Sequence, residues 1–323
     1  MLSFFKKCKI RFKLMLGIHY LNSREFYKAM LKFDEVLLID PEFKDTFILK
    51  GQTNEFLGNY TEAIKYYEFA INFDVNNVLS WKSKARCLFN SGFYEDSQEV
   101  LDNGLFYNEN NMDLLLTKCD FFEQQENYND ELECVEYILN NVDYEEGLLL
   151  KGHVFELQNK SEFAFEIYNI LLDLNPNNVV VLNNLANLYY KMDKLTDAIN
   201  YMGKVVELDP SNPYLFIYAF YLEENGNYEG ALKYISKSIK KDDGALDSYY
   251  RKGICLEKLG MLIKAKKSYE NGLMLCKKFL DSNYLFDGNI YYMISEYLMK
   301  LNKREEADDY YNKFLEFGSK VNM

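Results

Sequence analysis

The chain has 323 residues, 48% of them hydrophobic and 27% charged, and a net charge of −13 at pH 7. That balance is normal for a folded chain. It comes with no run of the ~18 apolar residues that a membrane span needs, and with no Walker loop, GxGxxG or HExxH motif. Six cysteines show neither a CxxC pair nor disulfide-framework spacing, so free thiols and a reducing, cytoplasmic setting are expected.

The charge is polarised. Residues 1–32 hold eight Lys/Arg against one acid, Glu25, a balance of +7, whereas residues 95–178 hold twenty Asp/Glu against three Lys, a balance of −17. The acidic stretch argues against nucleic acid as a partner there. In Met1–Lys13, Phe4, Phe5, Ile10 and Phe12 alternate with five cations. The start lacks an uninterrupted apolar region and a small-residue cleavage site, so no signal peptide is expected.

From Gly17 onward the chain repeats itself about every 34 residues. Small residues recur at Gly17, Gly51, Ala85, Cys119, Gly152, Ala186, Ala219, Gly253 and Ser295. A second series stands twelve residues further on, at Ala29, Ala63, Ser97, Glu131, Ala164, Ala198, Ala231, Ala265 and Ala307. Self-similarity at this period means stacked helical hairpins. The units begin at Ile10, Lys44, Val78, Met112, Glu145, Val179, Asn212, Leu246 and Gly288. Within a unit, positions 4, 7/8 and 11 form one helical stripe, and positions 20, 24 and 27 form the facing stripe of a second helix. Small residues at 8 and 20 let the two backbones approach. Gly and Asn cluster near position 15, as in Gly58-Asn59, Gly226-Asn227 and Gly260, where a turn needs positive φ.

Taken in order, the first unit carries Leu16, Gly17, Tyr20, Ala29, Phe33 and Pro41, and the second Phe47, Gly51, Ala63, Tyr67 and Ala70. The third holds the single Trp, Trp81. The fourth breaks the pattern: Glu131 occupies a small-residue position, so either that hairpin is splayed or its register is shifted. The sixth carries Leu182, Leu185, Ala186, Tyr189, Ala198 and Pro210. About eight extra residues near Leu280–Asp287 precede the last unit. The helix starting near Ile263 is therefore expected to run past Cys276, with a turn at Asp281–Asn283. A charged final helix, Arg304 to Phe317, suits an outer cap.

These residues resemble the tetratricopeptide repeat pattern, with small residues at 8 and 20, large ones at 4, 7, 11 and 24, and Pro near 32. The resemblance implies an all-α, right-handed superhelical solenoid of about nine antiparallel helix-turn-helix repeats. It would be a single array over 10–323, with residues 1–9 as a basic helical extension or cap. The function implied is a non-enzymatic protein-interaction scaffold. The basic N-terminus then has three readings: a cap on the first hairpin, as terminal repeats require, an anchor on an anionic membrane surface through residues 1–13, or a contact with the acidic middle of a second copy.

The resemblance also places positions 5, 9 and 12 on a concave face. Position 12 supplies Glu55, Glu123, Glu156, Glu223 and Glu257, and position 9 supplies Arg86, Asp120, His153 and Asn187. With Asn184, these are the candidate partner-binding residues. A Glu row suits a basic peptide, while a solvated face of good helix formers explains it equally. Lys82 and Arg86 are followed in the next unit by Leu116 and Asp120, so a carboxylate-gripping clamp is not expected. Asn183, Asn184 and Asn187 offer amide donors and acceptors to an extended backbone, in a chain that is rich in Asn throughout. Asp120, Glu123, His153 and Glu156 are metal-type ligands, but no motif fixes their geometry. No cofactor is implied.

Overall fold

The computed structural model describes residues 2–242, 246–281 and 288–321. They form eighteen helices and, among the described residues, no strand. The chain divides into two compact units, Met1–Ala164 and Phe165–Met323. The first contains α1 (Leu2–Asn22), α2 (Phe26–Leu37), α3 (Lys44–Phe56), α4 (Tyr60–Phe73), α5 (Val78–Asn90), α6 (Tyr94–Tyr107), α7 (Met112–Gln124), α8 (Tyr128–Asn141) and α9 (Tyr144–Leu157). The division falls within α10 (Ser161–Leu174). The second contains α11 (Val179–Lys191), α12 (Leu195–Leu208), α13 (Asn212–Glu224), α14 (Tyr228–Lys241), α15 (Leu246–Lys258), α16 (Leu262–Asp281), α17 (Asn289–Lys300) and α18 (Arg304–Val321). Within each unit, consecutive helices pack as hairpins and each hairpin packs on the next. Eight of the nine expected repeat starts match the first residue of an odd-numbered helix to within one position; the exception is the first. There α1 begins at Leu2, so the basic stretch is the opening of the first hairpin rather than a separate element.

One backbone device closes every hairpin. The residue at position 15 has positive φ in all nine repeats: Arg24 (58°), Glu126 (54°), Asn159 (57°), Asp193 (58°) and Asn302 (59°), besides Gly58, Gly92, Gly226 and Gly260 at 72° to 83°. The next N–H reaches back five residues to a carbonyl, as in Asn59 to Asn54 (2.8 Å) and Asn227 to Leu222 (2.8 Å). This is the bonding of a helix C-terminus ending in a left-handed residue. At Arg24 and Glu126 it is held by side chains that disfavour it.

The core repeats as well. Ser97 at position 20 donates its hydroxyl to the Ala85 carbonyl at position 8 (2.9 Å), so the two small positions do face one another. A third residue completes the contact. The ring at position 24 lies over the position-8 glycine: an added Cβ at Gly17 would stand 2.5 Å from Phe33, at Gly51 2.6 Å from Tyr67, and at Gly253 2.1 Å from Tyr269. Phe33, Tyr67 and Tyr269 are all buried. Where position 8 is Ala or Cys, position 24 is aliphatic: Ala85 with Leu101, Cys119 with Val135, Ala186 with Met202 and Ala219 with Ile235.

The register at Glu131 is intact. α8 starts at Tyr128 as the pattern requires, and Glu131 is buried like the small residues it replaces, with 2% of its surface exposed. The strain is taken by looser packing of α7 on α8 than in hairpins such as α3/α4. α16 runs past Cys276 to Asp281 as expected. The turn placed at Asp281–Asn283 and the insertion up to Asp287 lie largely outside the described residues.

Turn chemistry gives a direct test. Replacing Arg24 with Gly should raise stability by about 0.5–1 kcal/mol, because glycine reaches positive φ without the Cβ penalty. Gly92→Ala should lower it by about 1 kcal/mol for the converse reason, since an added Cβ there meets nothing within 4 Å. Urea unfolding checks both, and two changes of the same sign would contradict the assignment.

Candidate inner-face binding site

The stacking of hairpins sets position 12 of one repeat beside position 9 or 10 of the next, and the side chains found there match. Glu55 meets Arg86, with Nη2 2.7 Å and Nε 2.8 Å from the same carboxylate oxygen, while the Tyr67 hydroxyl donates to the other oxygen at 2.8 Å. Phe89 stacks on Phe121 with ring centroids 4.2 Å apart. Glu123 meets His153 at 3.6 Å. In the second unit, Tyr190 packs on Phe220 (5.4 Å) and Tyr221 (4.9 Å).

These pairings change the meaning of the acidic row. Glu223 accepts from Arg251 at 3.1 Å, and the same guanidinium lies 4.4 Å over the Phe220 ring. Glu257 accepts from Lys300 at 3.0 Å. Glu55, Glu223 and Glu257 are therefore each neutralised by a cation of the following hairpin. Arg86 belongs to one of these pairs. Asn187 accepts the Tyr221 hydroxyl at 2.7 Å, and Asn184 is half-buried beside Asn183 at a long 3.5 Å. Glu156 on α9 is half-buried and has its own partner within the molecule.

The fourth repeat is different. Among the described residues, exposed Asp120 accepts from the Gln124 amide (3.0 Å) and Glu123 has an imidazole beside it, and neither is paired with a lysine or arginine. Below them sits Glu131, whose Oε2 is buried with no hydrogen-bond partner. Burial, reinforced by the Glu123 and Asp120 charges, pushes its pKa up to about 7. Three carboxyl groups thus share one place on α7 and α8 with no lysine or arginine among them.

Asp120, Glu123, His153 and Glu156 do not assemble into a metal site. Among the described residues no group of three or more His, Cys, Asp or Glu is placed to hold an ion. The sequence reading missed the neutralising partners Arg251, Lys300 and Tyr67. Arg251 and Lys300 stand at positions 6 and 13, one helical turn from the positions inspected, and Tyr67 is a core position whose hydroxyl emerges on the inner face.

Repeat models described as "Tetratricopeptide repeat" match residues 179–212, 45–76, 246–279 and 288–317. The chain is a tetratricopeptide repeat protein. It is 26% identical over 310 residues to a TPR repeat-containing protein of Methanocaldococcus jannaschii, covering 93% of this chain and 50% of that one. It is 24% identical to the anaphase-promoting complex subunit CDC16 of Saccharomyces cerevisiae, over 60% of this chain and 24% of that protein. The chain thus spans half or less of these relatives' length. A crystal structure of a tetratricopeptide repeat protein from Parabacteroides merdae matches the fold at 16% identity and a TM-score of 0.51, covering 79% of this chain and 99% of that one.

The buried carboxyl predicts a pH profile. Glu131 has a folded pKa near 7 against 4.5 for the ordinary group. The folded state therefore holds a proton that the unfolded state has lost, and stability falls as pH rises from about 4.5 to about 7, by on the order of 3 kcal/mol. Above that range the loss is complete and flat. Glu131→Gln should remove this slope and be the more stable chain at pH 8. Denaturant midpoints at pH 5, 6, 7 and 8 check it, and parallel profiles for the two chains would contradict it.

Proposed function

We propose that the chain is a non-enzymatic protein-interaction scaffold whose inner face takes a Lys- or Arg-bearing segment of a partner protein over Asp120, Glu123 and Glu131. The observation that carries this reading is the distribution of neutralised charge. Five of the nine position-12 residues are Glu, yet Glu55, Glu223 and Glu257 already hold internal cations. The fourth repeat offers Asp120 and Glu123, to which no lysine or arginine is paired among the described residues. A guanidinium or ammonium from outside would fill the place that Arg86 fills for Glu55, and charge-assisted bonds of that kind are the strong ones.

The family supports the scaffold reading, since hairpin stacks present extended surfaces rather than closed catalytic pockets. CDC16 is by its name a subunit of a larger complex, which fits an assembly role for the part of it that this chain resembles. Free thiols at all six cysteines, five of them buried, fit a reducing cytoplasmic setting.

The test uses the full chain and a panel of labelled Arg- and Lys-bearing peptides, followed by fluorescence anisotropy at low and high salt. Asp120→Asn with Glu123→Gln should weaken the best peptide about tenfold or more, equivalent to one lost charge-assisted contact. Glu55→Gln should leave that affinity in place, because its charge is already spent on Arg86. Rising salt should weaken binding to the native chain. Equal effects of the two sets of changes, or no effect of either, would remove the reading.

A further inference from the structure

The lysines of the second unit are gathered, and they are gathered where the surface is also apolar. Residues 233–278 hold twelve Lys/Arg against five Asp/Glu, in a chain whose net charge is −13. Between α14, α15 and the start of α16 lies a pocket of about 430 Å³. Its charged lining is Lys252, Lys264 and Lys267, with Ser236, Ser268 and Asn271 as further polar groups and no carboxylate. Among the described residues, none of these three lysines makes an ion pair. That contrasts with Arg86, Arg251 and Lys300, each of which is matched to a glutamate.

Met261 forms the rim of the same pocket. It opens the turn into α16, and the next two residues are Leu262, 66% exposed, and Ile263, 89% exposed. Met261, which precedes α16, and the first two residues of that helix thus leave three consecutive apolar side chains exposed. Further along the exposed side of α16 come Lys266, Glu270, Met274 and Lys278, three of them basic or apolar and one acidic.

We propose that the turn before α16 and the outer side of that helix dock on an anionic lipid bilayer. Met261, Leu262 and Ile263 enter the boundary between headgroups and acyl chains. Lys252, Lys264 and Lys267 surround a lipid phosphate in the pocket behind them. A basic surface with exposed apolar residues is the composition of an interfacial, non-spanning membrane contact. A nucleic acid would satisfy the lysines but offers no apolar surface to Ile263; an acidic protein segment offers both, and the vesicle experiment separates it from a bilayer. Among the described residues no helix is long and apolar enough to cross a membrane, so the contact is peripheral. The site is separate from the basic N-terminus, which also exposes Phe5 and Phe12 beside its cations but has Ile10 buried and Lys13 paired with Glu35, and the Lys6, Lys7 and Lys9 changes below distinguish the two.

The experiment is sedimentation of the full chain with vesicles of phosphatidylcholine alone, and with about 30% phosphatidylserine added, at about 100 mM salt. Binding is expected only to the anionic vesicles. Leu262→Ser with Ile263→Ser should cut it about tenfold, and so should Lys252→Ala with Lys264→Ala and Lys267→Ala, while Lys6→Gln with Lys7→Gln and Lys9→Gln leaves it within about twofold. The substituted side chains are at least partly exposed, and unchanged circular dichroism and melting confirm that each variant is folded. No binding to anionic vesicles overturns the proposal. So does equal binding to neutral ones. Loss in the lysine variant alone means general electrostatic adsorption and also overturns it. A salt-sensitive change in self-association with no vesicle binding reassigns the face to a contact between copies.

Discussion

Up to α16 the hairpins rest on the contact between position 8 of the first helix and position 24 of the second; the last hairpin, with Ser295 and the exposed Tyr311 at these positions, departs from it. Interiors are packed to crystal-like density, so the two residues have to share a fixed volume. Glycine at 8 admits an aromatic ring at 24, as Phe33 on Gly17, Tyr67 on Gly51 and Tyr269 on Gly253 show. Alanine or cysteine at 8 goes with Leu101, Val135, Met202 or Ile235. The left-handed residue at position 15 completes the device by ending the first helix at a constant distance from that contact. Together they fix where the second helix lies, and the next hairpin then inherits its place from this one.

The inner face follows from that geometry. Once hairpins stack at a constant offset, position 12 of one repeat is a neighbour of positions 9 and 10 of the next. Opposite charges or two aromatic faces at such a step fasten the repeats together, and like charges push them apart. Most steps described are of the fastening kind: Glu55 with Arg86, Phe89 with Phe121, Tyr190 with Phe220. Such a charge pair belongs to the scaffold rather than to a ligand. The fourth repeat departs in two ways: its Glu123 meets a histidine of the fifth repeat where Glu55 meets Arg86, and it carries a buried carboxyl where most repeats have alanine. Both departures leave carboxyl groups without a lysine or arginine, and residues that break a local rule in this way are where function is most reasonably sought.

Much of this was legible in the sequence because a repeat displays each constraint nine times. Small residues at 8 and 20 mark the hairpin whatever the helices do elsewhere, and the turns could be placed from Gly58, Gly226 and Gly260. The positive φ at Arg24 and Glu126 could be inferred only from their register, since neither residue favours it. The coupling of glycine at 8 to a ring at 24 was present in the residues but lies sixteen positions apart, beyond the reach of a helical stripe. The inner face was legible as a list of residues and not as a set of pairs. Glu55 and Glu123 look alike along the chain; their difference depends on Arg86 and His153, thirty or so residues away. The Glu223–Arg251 and Glu257–Lys300 pairs use positions 6 and 13, from which a long cationic side chain reaches the position-12 carboxylate.

The most direct test of the packing that underlies all of this is a double-mutant cycle on Gly17 and Phe33, a pair with no polar group to complicate it. Urea unfolding would be measured for Gly17→Ala, Phe33→Leu and the two combined. The account predicts that Gly17→Ala alone costs about 1–3 kcal/mol, as overpacking does, and costs much less once the ring at 33 is replaced by leucine. A cost for Gly17→Ala that is the same in both backgrounds would mean that positions 8 and 24 do not share a fixed volume, and that some other contact sets the hairpin.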